Sequence, residues 1–319
     1  MTSTAYSCTN DNSSHVFSMF LKQIRHENDL SQEQFCLRLR EESSLFCNLD
    51  SITISRWERE VNIPSLAKQA EIVELFGKEL FDVYGNDHQF ISEGIDLVNY
   101  EQSYTDGRSI HPYYKEDSYT IEKIGVEHHC FLFFLRMILQ YEGNPSIELV
   151  SEEIIKDEYA SLNIMVACAY GNQVVGHCLY LDTSTHEILK LLNFKSGLQQ
   201  VITSAKGVND DSLLVLSSFG ATSQIENSMM SIYINKFACS KPLRYLCFSL
   251  CDETLIKKLT AAKLTPFKEK LYEKEEVQVT IVSFLISRSE VMANRFLLKL
   301  AVISASRLNS MLNTMVKGG

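Results

Sequence analysis

The chain's apolar positions change period partway along, and that change divides it. Between residues 15 and 80 the spacing is helical. Phe17, Phe20, Leu21 and Ile24 recur at three and four, predicting a helix that Ser14 caps. "LSQEQFCLRLREE" predicts a second, capped by Ser31, with Phe35, Leu37 and Leu39 apolar. In "SITISRWERE" (51–60), Ile54 and Trp57 share a helical face, so Ser51, Ser55 and Arg56 face outward. After the break at "NIPS", "SLAKQAEIVELFG" places Leu66, Ala70, Val73 and Leu75 or Phe76 inward and ends at Gly77. Short helices with tight breaks predict a compact all-α bundle of helix-turn-helix type over 14–82.

Residues 83–124 show no sustained period and read as a linker. Helix returns over "VEHHCFLFFLRMILQYEG" and "SIELVSEEIIKDEYA". The period then falls to two. "NIMVACAY" and "QVVGHCLYL" flank Gly171-Asn172, a strong hairpin signal. "DSLLVLSSF", "LRYLCFSL" and "EEVQVTIVSFLIS" predict strands. "SQIENSMMSIYINKF" and "DETLIKKLTAAKL" predict the helices between them, the second capped by Asp252. Residues 183–210 stand as an insert. The order predicts an α/β (α+β) domain with a mixed sheet over 125–288. "SEVMANRFLLKLAVISASRLNSMLNTMV" lacks Pro and Gly and predicts one long C-terminal helix, 289–319, packed on its own domain or joining two subunits. Residues 1–13 are polar and read as a disordered tail, not a signal peptide.

Composition narrows the function. The net charge is −10, and residues 15–80 hold 8 Lys/Arg against 11 Asp/Glu, so nucleic-acid binding would need a local cluster of Arg25, Arg38, Arg40, Arg56 and Arg59. No long uncharged apolar run exists, so no membrane partner is expected. The nine cysteines sit mostly within apolar runs and contain no Cys-x-x-Cys, as in reduced cytoplasmic proteins. "EHHC" (127–130) carries metal-capable side chains, but adjacent helical positions diverge, so no metal is expected. Trp57 reads as core, and Glu58 and Glu60 as solvated or paired with Arg56 and Arg59.

The pieces "LSQEQF", "TISRWERE", "IPSL" and "EIVELFG" together resemble the Cro/C1-type (XRE) helix-turn-helix regulators over about a quarter of the chain. The resemblance implies that Gln32, Ser51, Ile52, Thr53, Ser55 and Arg56 face a double-stranded DNA operator, with Arg59 and Asn62 on its backbone. It also implies a homodimer. The segment between Gln32 and Thr53 is longer than that family's usual turn, and Leu45 and Phe46 could tuck beneath it.

The order of elements over residues 125–288 resembles the GCN5-related N-acetyltransferase fold. That family binds the CoA pyrophosphate through Gln/Arg-x-x-Gly-x-Gly/Ala at a strand–helix turn. Here the turn reads "FGATSQIENSMM", with Gly220 alone, no Arg, and Glu226 set to repel an anion. The helix "LIKKLTAAKL" also lacks the family's Tyr acid. The expectation is therefore a transcriptional regulator whose second domain is not an enzyme, needs no cofactor, and senses a small-molecule ligand or assembles dimers. Glu226, His177 and Tyr180 could line a cleft, or be buried structurally. The rival readings are a regulator with an active acetyltransferase domain, and a protein-interaction or antitoxin-like module.

Overall fold

The computed structural model describes residues 12–85, 119–147, 161–169, 173–204, 210–274 and 277–302. The chain divides into two units, Met1–Asn99 and Tyr100–Gly319.

In the first unit, α1 (Asn12–Glu27), α2 (Gln32–Glu42), α3 (Ser51–Glu58), α4 (Leu66–Leu75) and α5 (Leu80–Tyr84) form a helical bundle. Phe17, Leu21, Ile24, Phe35, Leu39, Ile54 and Trp57 are buried, as the spacing predicts. Leu37 is not: it is 49% exposed, and Cys36 takes the inward position. Ser31 closes a capping box with Gln34. Gly77 adopts φ +67°, and the N–H of Lys78 reaches back to Val73 O at 3.1 Å, ending α4 in a left-handed cap. The long α2–α3 connection contains a short 3-10 turn, Ser44–Phe46, that buries Phe46 and leaves Leu45 exposed. Asp50 caps α3 by accepting the N–H of Thr53 at 2.6 Å.

The second unit is built on a seven-stranded sheet of order β1-β2-β3-β4-β5-β7-β6. The strands are β1 (Tyr119–Ile124), β2 (Leu162–Ala169), β3 (Gln173–Thr183), β4 (Ser212–Gly220), β5 (Tyr245–Leu250), β6 (Lys268–Lys274) and β7 (Val277–Ser287). All neighbours pair antiparallel except β4 and β5, which run parallel. Helices α6 (Phe131–Glu142), α7 (Thr185–Leu192) and α8 (Leu198–Ser204) bury Leu135, Ile188 and Val201 with Leu214 and Leu216 of β4. On the other side, α9 (Ser223–Cys239) carries Tyr233, which packs against Tyr180 and Phe248 with ring centroids 6.2 and 6.1 Å apart. Residues Ser212–Ser218 of β4 are buried throughout, because helices cover both faces of the sheet. The remaining helices are α10 (Glu253–Ala261), which Asp252 caps as predicted, α11 (Arg288–Ala293) and α12 (Arg295–Ala301). A mixed sheet with helices therefore stands as expected.

Several expectations change. The sheet starts at Tyr119, inside the segment read as linker. The insert forms α7 and α8, and "KEKLYEK" forms edge strand β6. His128, His129 and Cys130 precede α6 and do not lie on it. The C-terminal segment is not one helix over its described part. Asn294 leaves helical geometry (ψ 112°), caps α12 through Leu297 N, and donates to Ala262 O at 2.7 Å, so two short helices replace one long one. The hairpin tip at Gly171-Asn172, the expected helix over 148–160, and residues 303–319 with Leu308, Met311 and Met315 lie outside the described residues. No helix among the described residues is long and apolar enough to cross a membrane, and the eight described cysteines are all free thiols.

Candidate functional site

The parallel β4–β5 ladder covers only Ser212–Val215 against Tyr245–Phe248. Beyond it β4 runs on to Gly220. A bulge helps turn it away: Leu179 pairs with Ser217 and Tyr180 with Val215, so Leu216 has no partner on β3. Polar side chains from five segments meet beside this divergence.

Glu142 ends α6, where Gly143 adopts φ +62° and turns the chain. Its Oε1 accepts the N–H of Cys251 at 2.6 Å and that of Asp252 at 3.2 Å, just past β5. Its Oε2 is buried, with the Ser217 hydroxyl beside the carboxyl and, among the described residues, no cation against it. Asn144 fastens the same corner by donating to Ser249 O and Oγ, each at 3.1 Å. His177 of β3 bonds through Nε2 to Ser217 Oγ of β4 at 3.0 Å. Tyr141, 41% exposed, packs its ring on His177 and Phe219 and donates its hydroxyl to Asp252 Oδ2 at 2.9 Å.

The two buried titratable groups are perturbed in opposite directions. Burial drives the Glu142 carboxyl up to about 7; the two backbone N–H groups and the Ser217 hydroxyl only partly oppose it. Burial also drives His177 down to about 4, with weak opposition from Asp252. Near neutral pH the corner therefore holds a carboxyl poised to accept a proton, a neutral imidazole and a Tyr hydroxyl at the surface.

The β4–α9 turn is tightly built. A Cβ on Gly220 would stand 2.6 Å from Glu226 Cα and 2.8 Å from Ile225 C, both backbone atoms, so only glycine fits. Thr222 caps α9 through Ile225 N. Glu226 does not present a bare charge: Lys258 Nζ of α10 lies 2.9 Å from its Oε2 and 3.0 Å from Asn227 Oδ1. The Ala221 N–H is given to Val175 O at 2.7 Å and that of Ile225 to Thr222 Oγ1 at 3.3 Å, so in this turn the N–H groups of Ser223 and Gln224 are the ones suited to an anion. Tyr180 does not join this corner. It is buried against Tyr233 and lies beneath Lys236.

Sequence reasoning named His177 and Glu226 but missed Tyr141 and Glu142. The available signal was a carboxylate closing a strongly apolar helix just before Gly143.

In the first unit, α3 turns Ile52 (60% exposed) and Arg56 outward, with Ser51, Thr53 and Ser55 half-exposed. Gln32 does not join them freely, because its Nε2 donates to Glu58 Oε2 at 2.7 Å. Glu58 is buried and also holds Arg25 through contacts of 2.6 and 3.3 Å, so neither Arg25 nor Glu58 is a solvated surface charge. Arg59 bonds back to Ser55 O at 3.2 Å, and Asn62 is exposed. Arg38 pairs with Glu42 at 2.8 Å and covers the Phe76 ring.

No family model matches the sequence, and no curated protein matches it. Solved structures do. A point mutant of agmatine N-acetyltransferase in its apo form gives a TM-score of 0.36 at 9% identity, covering 53% of this chain and 100% of its own. Arabidopsis thaliana NAA60 in complex with acetyl-CoA gives 0.37 at 10%, covering 54% and 99%. The ribosomal-protein-alanine N-acetyltransferase from Brucella melitensis gives 0.33 at 12%, covering 52% and 98%. The expectation that the chain is not an enzyme is corrected on this finding, since these similar structures are N-acetyltransferases.

Proposed function

We propose that the second unit transfers an acyl group from an acyl-CoA to an amine, and that the first unit delivers it to, or regulates it at, a DNA site. The observation that carries the transferase reading is Glu142, a buried carboxyl raised to about 7 beside the β4–β5 divergence. An amine attacks only as its free base, so a group titrating near neutrality suits its deprotonation. Acyl-CoA would supply an activated thioester, with its pyrophosphate against the N–H groups of Ser223 and Gln224 in the first turn of α9. Lys258 neutralises Glu226 and removes the repulsion that charge would exert there. Glu142 would take the amine proton, with His177 and Ser217 fixing the surrounding hydrogen bonds. The Tyr141 hydroxyl is the exposed donor that could protonate the departing thiolate, a role α10 offers no Tyr to fill.

The test is thiol release from acetyl-CoA over a panel of primary amines. Glu142→Gln should lower kcat/KM by about 10²- to 10⁴-fold, and the unaltered enzyme's kcat/KM should climb with pH through about 7. A chain that neither binds acetyl-CoA calorimetrically nor releases thiol with any amine sinks the reading.

The outward face of α3 supports the DNA reading: Ser51, Ile52, Thr53, Ser55 and Arg56 are all accessible on one short helix. Selection from random duplexes followed by gel shift tests it. Absence of any enriched sequence would leave the first unit as a protein-binding module.

A further inference from the structure

The turn between β1 and α6 holds chemistry that the transferase reading does not use. The ligand atoms of His128, His129 and Cys130 all lie within 4.8 Å of one another. The two imidazoles stack at 4.5 Å between centroids. We propose that these three residues bind a divalent transition metal of borderline softness, zinc(II) being the natural occupant.

Three features support the assignment. Two imidazole nitrogens and one thiolate form a donor set that prefers zinc over calcium or magnesium. Cys130 occupies the N-cap position of α6, a twelve-residue helix, yet its side chain makes no capping bond. The thiol is thus not spent on the helix, and the positive end of the helix dipole favours a negatively charged ligand there. Finally, the Cys130 N–H donates to His128 Nδ1 at 3.1 Å, so the neutral ring carries its proton on Nε2. That nitrogen faces Glu122 Oε1 of β1 at 3.9 Å. A metal taking the place of the N–H at Nδ1 would find the ring in the tautomer it needs, with Glu122 as its outer partner.

Tetrahedral ligands at bonds of about 2.0–2.3 Å stand roughly 3.3–3.8 Å apart, so closure asks for a shift of about 1 Å. Side chains on a partly exposed turn can make it. As the metal–sulfur bond forms, Cys130 gives its thiol proton to solvent, and a water fills the fourth position.

The experiment titrates the full chain with zinc(II) against a chromophoric chelator and repeats it with cobalt(II), whose thiolate charge-transfer band reports sulfur ligation. One equivalent is expected. Affinity should fall by at least about tenfold in Cys130→Ser and His128→Ala, and stay unchanged in Cys47→Ser, which alters an exposed thiol of the first unit. Should a variant misfold, zinc protection of Cys130 from alkylation, mapped by mass spectrometry on the unaltered chain, replaces it. No stoichiometric binding, binding that survives both variants, or Cys130 alkylated equally fast with and without zinc overturns the site. None of these outcomes touches the acyl-transfer reading, which is scored by thiol release.

Discussion

Among the described residues each unit buries one glutamate to 4% exposure, Glu58 in the first and Glu142 in the second, and the two environments could hardly differ more. Glu58 faces the Arg25 guanidinium across two contacts and takes the Gln32 amide as well. Charge meets charge, and the carboxylate becomes a brace holding α1, α2 and α3 together. Glu142 meets no cation. It has two backbone N–H groups on one oxygen and the Ser217 hydroxyl beside the carboxyl, and burial still lifts it to about 7. Burial of a carboxylate is therefore not itself a sign of chemistry. What decides is whether the fold supplies a counter-charge.

The sharpest way to break this contrast is Arg25→Ala, which strands Glu58 without its cation. It should destabilise the first unit by about 3–5 kcal/mol. Replacing both partners by Met should recover most of that loss in urea denaturation. If the single variant costs no more than a surface ion pair, Glu58 is not the brace described here.

The pH dependence of the second unit comes next. Glu142 is raised from 4.5 to about 7, so its folded state holds a proton that the unfolded chain releases. Its stabilising share is full below pH 4.5 and is lost as pH rises through 7. His177 is lowered from 6.5 to about 4, so its share is full above pH 6.5 and is lost as pH falls through 4. Each amounts to roughly 3 kcal/mol, and between their windows the slopes oppose. Unfolding across pH 4–8 should thus be nearly flat for these two groups, should rise with pH in Glu142→Gln, and should fall with pH in His177→Asn. Parallel curves for all three would remove the perturbed pair.

On the proposed DNA reading, Arg56→Ala is expected to weaken specific DNA binding by about 1–3 kcal/mol and non-specific binding less. Equal loss on both kinds of duplex would make Arg56 a phosphate contact only. The smallest effect is Asp50→Ala, which should lower the first unit's thermal midpoint by a few degrees at most through loss of its α3 cap.

Much of the architecture was legible in the chain. Period-three-and-four spacing found α1 to α4, period-two runs found β2 to β5 and β7, and Ser31, Gly77 and Asp252 marked their helix ends. Failures came where the local signal was ambiguous. "KEKLYEK" alternates charge with little apolar content because β6 is an edge strand, so it lacks a strand's usual hydrophobic face. Asn294 sits amid good helix formers, and only its bond to Ala262 O reveals the break. Residues 183–210 concealed a cap, Ser184 accepting from Glu187 N, that was readable but passed over.

The sequence alone determined where α1 to α4, β2 to β5 and β7 would form, because periodicity and capping act among residues a few places apart. It also set the first unit's acidic balance, 8 Lys/Arg against 11 Asp/Glu over residues 15–80. It could not say what Glu58 and Glu142 do, since a buried charge takes its character from partners far along the chain: Arg25 for one, Cys251 and Asp252 for the other. Nor could it show that Lys258 silences Glu226, or that His128, His129 and Cys130 leave helical geometry and converge. Those facts depend on desolvation and distance, which exist only once distant segments are packed together.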